Sequence, residues 1–251
     1  MRLQSIKSKL LLSFTIFVLL VASIITTFLW SQYRNNNISQ VNNSVTDINL
    51  LVKDIHILEN DFFHYEIIKP SFYKTGKSDF VNSHHAQIAK LKGKFEKLRT
   101  IKDIQSAALD KEVKEVENLI ARVDVTFKKI VEKVAEKGFK DYGLIGEMRK
   151  NIHRIEEAEK QYRLDLAKIL MIRRHEKDYL LRKDDGYLSR LNGAVELLKA
   201  DVKAKVFNPV TRDSIMGLVD GYHKVFAEMM KVDKEIGVEN TSGLKHQLAL
   251  M

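Results

Sequence analysis

Arg173-Arg174-His175-Glu176-Lys177-Asp178-Tyr179-Leu180-Leu181-Arg182 decides how this chain is read, because it lies inside a long amphipathic pattern and yet carries seven groups of mixed charge. The apolar stripe running into it is Met148, Ile152, Ile155, Glu159, Tyr162, Leu166, Ile169, Arg173, Glu176 and Leu180, at three- and four-residue steps. That spacing predicts one helix with a single inward face. Arg173 and Glu176 then point inward three residues apart and can pair, as can Arg174 and Asp178 four residues apart. A buried charge is costly unless paired. The block is therefore either a structural ion network (Arg173 with Glu176, Arg174 with Asp178) or a site for a charged ligand.

Working outward, the same period recurs across the chain and predicts an all-α protein. A first segment continues to about Lys69 with Val41, Val45, Ile48, Leu51, Ile55, Leu58, Phe62 and Tyr65 on one face. Pro70 and Thr75-Gly76-Lys77-Ser78 turn the chain, and Ser78 caps a second segment striped by Val81, His84, Ile88, Leu91, Phe95 and Leu98. The third runs from Leu109 to Val134. Gly138 and Gly143 bracket a loop before the fourth, which reaches about Arg182 as one piece. Asp184-Asp185-Gly186 leads to a fifth (Leu188 to Val202), and Asn208-Pro209 to a sixth (Ile215 to Ile236). The first and fourth segments are the long ones, each ~60 Å outside the membrane at ~1.5 Å per residue. Two stacked four-helix bundles sharing those two long helices are the expected architecture. The distal bundle would take the first, second and third segments with the first half of the fourth. The proximal one would take the first, fifth and sixth with the second half of the fourth. In that register Glu59 and Glu66 face Arg149, His153 and Arg154, while the Arg173–Asp178 block faces Gln40, Asn42, Asn43 and Asp47.

Leu10 to Trp30 holds 21 residues without a charge, preceded by Arg2, Lys7 and Lys9. At ~1.5 Å per residue it matches a hydrocarbon core of ~30 Å. A cleaved leader would end near Val21-Ala22-Ser23, but the apolar run continues past it to Trp30 and Tyr33. The expected division is residues 1–9 as a cytoplasmic basic segment, 10–30 as a transmembrane helix, 31–236 outside, and 237–251 as the start of a further segment. Gly237-Val238-Glu239-Asn240-Thr241-Ser242-Gly243-Leu244 echoes Gly138-Phe139-Lys140-Asp141-Tyr142-Gly143-Leu144, as though another helix were starting, so a truncated receptor is expected. With the anchor's three cations removed, the formal +9 falls to +6. Those charges are dispersed along helices, so a locally positive pocket for a small anion is expected rather than a nucleic-acid surface. There is no cysteine, which removes disulfides, thiolate metal sites and cysteine nucleophiles.

Tyr142-Gly143-Leu144-Ile145-Gly146-Glu147-Met148-Arg149-Lys150-Asn151-Ile152-His153, then Leu170-Met171-Ile172 leading into the charged block, resembles the helical bimodular sensor domain of bacterial chemoreceptors and sensor histidine kinases. Glu59-Asn60-Asp61-Phe62-Phe63-His64-Tyr65-Glu66 with Phe72-Tyr73-Lys74-Thr75-Gly76-Lys77-Ser78 is similar to it too. The resemblance covers roughly 31–236 and departs at the end, where no second span, linker or output module follows. It implies a receptor in the bacterial inner membrane with its sensor domain in the periplasm. It also implies signalling in chemotaxis or a two-component system, recognition of a small organic acid or a periplasmic binding protein, and a homodimer.

Candidate ligand contacts on this reading are Arg173, Arg174 and Lys177, with Asn42, Asn43 and Asp47 across the groove, since guanidinium forks take carboxylates bidentately. The alternative is a membrane-tethered structural or adaptor bundle without a small ligand. His175-Glu176-Lys177-Asp178-Tyr179 has Tyr where a second zinc ligand would stand, which removes a zincin motif. His84 and His85 are adjacent, so only one faces a core, and no metal role is assigned to them. His153 with Glu156 or Glu157 reads as a surface pair. Phe62, Phe63, Tyr65, Phe72 and Tyr73 read as packing beneath a loop or a docking tip. Neither catalysis nor a cofactor is expected.

Overall fold

The computed structural model describes residues 6–101, 104, 109–237 and 241–251, with side chains from residue 9 onward. Most of the basic N-terminal segment, Arg2 and Lys7 included, and Val238-Glu239-Asn240 of the tail echo lie outside the residues whose side chains are described. Among the described residues there is no strand. The helices are α1 (Ile6–Asp61), a π-helical stretch (Phe62–Glu66), α2 (Pro70–Thr75), α3 (Asp79–Arg99), α4 (Asp110–Lys137) and α5 (Gly143–Tyr162), followed by α6 (Leu166–Arg182), α7 (Gly186–Lys205), α8 (Pro209–Ile236) and α9 (Gly243–Ala249).

α1 is 56 residues long, and its apolar N-terminal part is long and apolar enough to cross a membrane. Side chains from Leu10 to Trp30 are all exposed. The α-helix ends at Asp61, earlier than the expected Lys69, and the chain winds through Phe62–Glu66 with π geometry. The wider turn places Phe62 and Glu66 together in the interior. Pro70 opens α2 at a position where its missing N–H costs nothing.

The chain divides into two compact units. One comprises Met1–Ile55 with Gln87–Glu117. There Ile48 of α1, Leu91, Phe95 and Leu98 of α3, and Val113 of α4 are buried. Lys94 Nζ meets Asp47 Oδ2 at 2.5 Å, and Arg99 pairs with Glu117.

The other unit comprises His56–Ala86 with Asn118–Met251. Its largest feature corrects the sequence reading. The fourth segment is not one long helix but two, α5 and α6, folded into a hairpin at Arg163-Leu164-Asp165. α5 packs on α6, α6 on α7, α7 on α8, and α8 returns to α5. Consecutive helices with short links and this ring of contacts make an up-and-down four-helix bundle. Both halves of the fourth segment therefore share one bundle with the fifth and sixth, instead of being distributed between two. Its core joins Met148, Ile152 and Ile155 to Ile169, Ile172 and Tyr179, and both sets to Leu191, Leu198, Tyr222 and Phe226.

The break has identifiable causes. Arg163 takes the left-handed conformation (φ 51°) that ends α5. Asp165 caps α6, its carboxylate accepting from Ala167 N at 3.0 Å. Tertiary partners hold the turn: Asp201 Oδ2 accepts the Asp165 N–H at 2.6 Å, and Lys205 Nζ donates to the Arg163 carbonyl at 2.9 Å. Leu164 is buried among Ala158, Val202, Val206 and Ile215.

A second cluster lies at the other end of this bundle. Phe62, Phe72, Phe127, Ile130 and Val134 pack with Val232 and Ile236, and Phe62 meets Phe63, Phe72 and Phe127 edge to face at 5.5–5.7 Å. Leu144 and Leu244 both rest against it. The two glycine loops noted in the sequence share one backbone device. Gly138 (φ 82°) ends α4 and Gly237 (φ 97°) ends α8. A Cβ would meet a backbone oxygen at 1.9 Å in the first and 1.8 Å in the second, so only glycine fits.

Candidate functional site

Glu176 takes the core-facing slot of α6 and is 4% exposed. Arg173 is not its partner. The guanidinium turns to the flank, where Nη1 donates to Glu156 Oε1 of α5 at 2.5 Å. Glu176 instead accepts from Tyr222 Oη at 2.6 Å across the bundle and from Lys177 Nζ at 3.0 Å. Burial, reinforced by the Glu176 charge, pushes the Tyr222 hydroxyl well above its ordinary value. Burial pushes Glu156 up, but hydrogen bonds from Arg173 and His153 outweigh it and leave the carboxyl below its usual value. The block thus links α6 to α5 through a pair on the flank and to α8 through a buried hydrogen bond.

The remaining members are spread out. Arg174 is exposed, with Nε 3.9 Å from Asp178 Oδ2. Lys177 is exposed apart from its contact with Glu176. Asn42 and Asn43 are exposed on α1, and Asp47 is engaged by Lys94. Glu59 and Glu66, expected opposite Arg149, His153 and Arg154, have other partners. Glu59 bonds His84, Glu66 bonds Lys69 at 2.8 Å, Arg149 pairs with Asp141, and His153 with Glu156.

A concavity forms elsewhere in the same unit, where α4, α6 and α8 all end. It encloses about 310 Å³ and is walled by Phe63, Ile67, Tyr73, Phe139, Ile145 and Ile236, with Lys137, Lys183, Lys245 and Asp233 at its polar side. The size is that of a small-molecule pocket. Asp233, 6% exposed, receives both Lys137 and Lys183, the latter at 2.6 Å. Burial raises Asp233, yet the two ammonium groups outweigh it and hold the carboxyl below its usual value. Lys183 is driven the other way: burial and the neighbouring Lys137 charge lower its pKa. Two cations thus share one carboxylate. Lysine charge is also what three convergent helix C-termini favour, since their free carbonyls carry partial negative charge. Tyr73 donates to the Ile67 carbonyl at 2.7 Å, and burial pushes its hydroxyl up to about 12. Its ring stacks on Phe139 at 6.0 Å, while Lys245 Nζ lies 4.4 Å from the Phe63 ring centroid.

Phe63 and Tyr73 were singled out from sequence as part of an aromatic cluster; Phe139, Lys137, Lys183 and Asp233 were not. Lys137 and Lys183 stand at helix ends, an ordinary place for lysine, and only Asp233, on the buried face of α8, departs from its apolar surroundings. Its position at the fourth step of the stripe, between Met229 and Ile236, was the available signal. Compared with known proteins, the chain matches no family model, no curated protein and no solved structure.

Proposed function

We propose that this chain is the ligand-sensing part of a membrane-anchored bacterial receptor, and that its ligand is a small organic acid seated in the Lys137–Lys183 cleft. The observation that carries this reading is the sharing of one buried carboxylate by two lysines at the edge of an aromatic and apolar hollow. A second carboxylate entering there meets cations already desolvated and only partly neutralised, and the walls accept its carbon skeleton. Arg173, Arg174 and Lys177 are not the recognition residues on this reading; Arg173 and Lys177 serve the bundle, and Arg174 lies open to solvent.

The cleft is built from the ends of α4, α6 and α8 and from the segment that continues α1. Binding that favours one packing of these ends over another biases the helix entering the membrane, which is how a site outside would report inward. The N-terminus lies in the cytoplasm and residues after Trp30 in the periplasm, as the basic residues before the span favour. Ile38, Val45 and Val52, exposed on α1 at seven-residue spacing, support a parallel homodimer.

The test is a thermal-shift and calorimetric screen of the full chain in detergent micelles against aliphatic and aromatic mono- and dicarboxylates. A saturable response that falls at least about tenfold in affinity in Lys183→Met or Lys137→Met, and is unchanged in Arg174→Ala, supports the cleft. A hit indifferent to both lysines moves the site elsewhere. Silence across the panel favours the adaptor reading, in which a protein partner replaces the small ligand.

A further inference from the structure

His84 and His85 are adjacent on α3, an arrangement that by spacing alone argues against shared ligation. The fold adds a third group. Asp124 of α4 comes alongside, and a ring nitrogen of His84, one of His85 and a carboxylate oxygen of Asp124 lie within 4.8 Å of one another.

The decisive detail is His84. Its side chain is fully buried, and Nδ1 has no hydrogen-bond partner among the described residues. The opposite nitrogen, Nε2, lies 3.2 Å from Glu59 Oε1, a carboxylate that is itself 5% exposed. A carboxylate only accepts, so Nε2 carries the proton of this bond. In the neutral ring Nδ1 is then a bare lone pair, aimed toward Asp124 Oδ1 at 3.9 Å. A lone pair facing a carboxylate in the interior is unfavourable unless a positive species lies between them. The ring is also fixed in place by Phe127, 4.2 Å away between centroids.

We propose that His84, His85 and Asp124 form a site for a borderline divalent transition-metal ion, with Zn2+ as the reference case, and that Glu59 orients His84 for it. Two imidazoles and one carboxylate are a donor set suited to such ions, with the fourth tetrahedral position left to water. A carboxylate behind a ligating histidine fixes the tautomer that ligates. With donors ~2.1 Å from a shared ion, tetrahedral ligands stand ~3.4 Å apart, so the His84–Asp124 pair needs to close by only ~0.5 Å. His85 is exposed and already brings a ring nitrogen within 4.8 Å of the other two donors. The ion ties α3 to α4 and, through Glu59, to the end of α1. This site is separate from the Lys137–Lys183 cleft and does not depend on what binds there.

The experiment titrates Zn2+ into the tag-free full chain in detergent, in competition with a chromophoric chelator, and records the visible spectrum of Co2+ in its place. The expected result is one ion per chain, a rise in melting temperature with Zn2+, and a Co2+ spectrum of tetrahedral type. His85→Ala and Asp124→Asn should each weaken binding at least tenfold and abolish the thermal shift. Both positions are partly or fully solvent-facing, so these variants keep the fold even where a change at buried His84 does not. Binding unchanged in both variants would overturn the proposal. So would the absence of a saturable equivalent.

Discussion

Tyr222 and Arg173 separate two views of the charged block on α6. Tyr222→Phe removes the shorter of the two hydrogen bonds to buried Glu176 and should lower stability by about 1–3 kcal/mol. Arg173→Ala removes a partner of Glu156 at the bundle's flank, where solvent screens the pair, and should cost about 1 kcal/mol or less. Thermal melting of the two variants orders them; the reverse order would mean that Glu176 depends on Arg173 after all. Acid stability is a second residue-scale matter. Burial raises Asp201, but the Asp165 N–H, Lys205 and Lys168 together hold it below its ordinary 3.8, and Asp233 is held down by its two lysines. A carboxyl lowered on folding stabilises the protein above its unfolded pKa and loses that contribution as pH falls through the folded value. Melting temperature should therefore drop as pH is taken below about 4, and Asp201→Asn should flatten part of that drop.

At the scale of the element, the α5–α6 hairpin is the part that sequence periodicity misread, and Arg163 tests it by sign. At φ 51° a glycine is better suited than arginine, so Arg163→Gly should raise stability by about 0.5–1 kcal/mol. In a continuous helix the same change would lower stability by about as much. Chemical denaturation of the two proteins reads the difference directly. The apolar stripes of α3, α4, α7 and α8 were legible because their buried faces keep the helical period, broken only by single polar residues such as His84, Asp201 and Asp233. The break was not, for a physical reason. Tyr162 and Leu166 keep the period across the turn, while the groups that hold it, Asp201 and Lys205, lie on α7. Only the Asp165 cap was local enough to be read, and aspartate is common inside helices. The charged block was legible as an anomaly, and so was its Arg174–Asp178 pair, but the partners of Arg173 and Glu176 were not, because Glu156 and Tyr222 reach them from other helices. The same holds for Asp124 beside His84: the neighbour comes from another helix.

For the whole molecule, the absence of cysteine makes single-cysteine variants clean reporters of anchoring and association. Val52→Cys, carried by the full chain in bacterial membranes, should react with a membrane-impermeant maleimide added from outside; protection until the membrane is opened would reverse the proposed orientation. Val45→Cys should give an oxidised dimer more readily than Thr46→Cys, whose side chain leaves α1 about 100° away. Equal yields would remove the parallel homodimer. The ring of contacts from α5 to α8 has a further consequence, in the time domain. α6 docks on α7, and α7 on α8, as neighbours in the chain, so these pairings need few long loops to close, whereas α5 waits for α8 to return across the two helices between them. The aromatic cluster is the opposite case, since Phe62 must find Phe127 across a long stretch of chain. Pulsed hydrogen exchange during refolding should accordingly protect α6 and α7 before the Phe62–Glu66 turn. The four-helix bundle would then be the surface on which the Phe62–Glu66 turn finally settles.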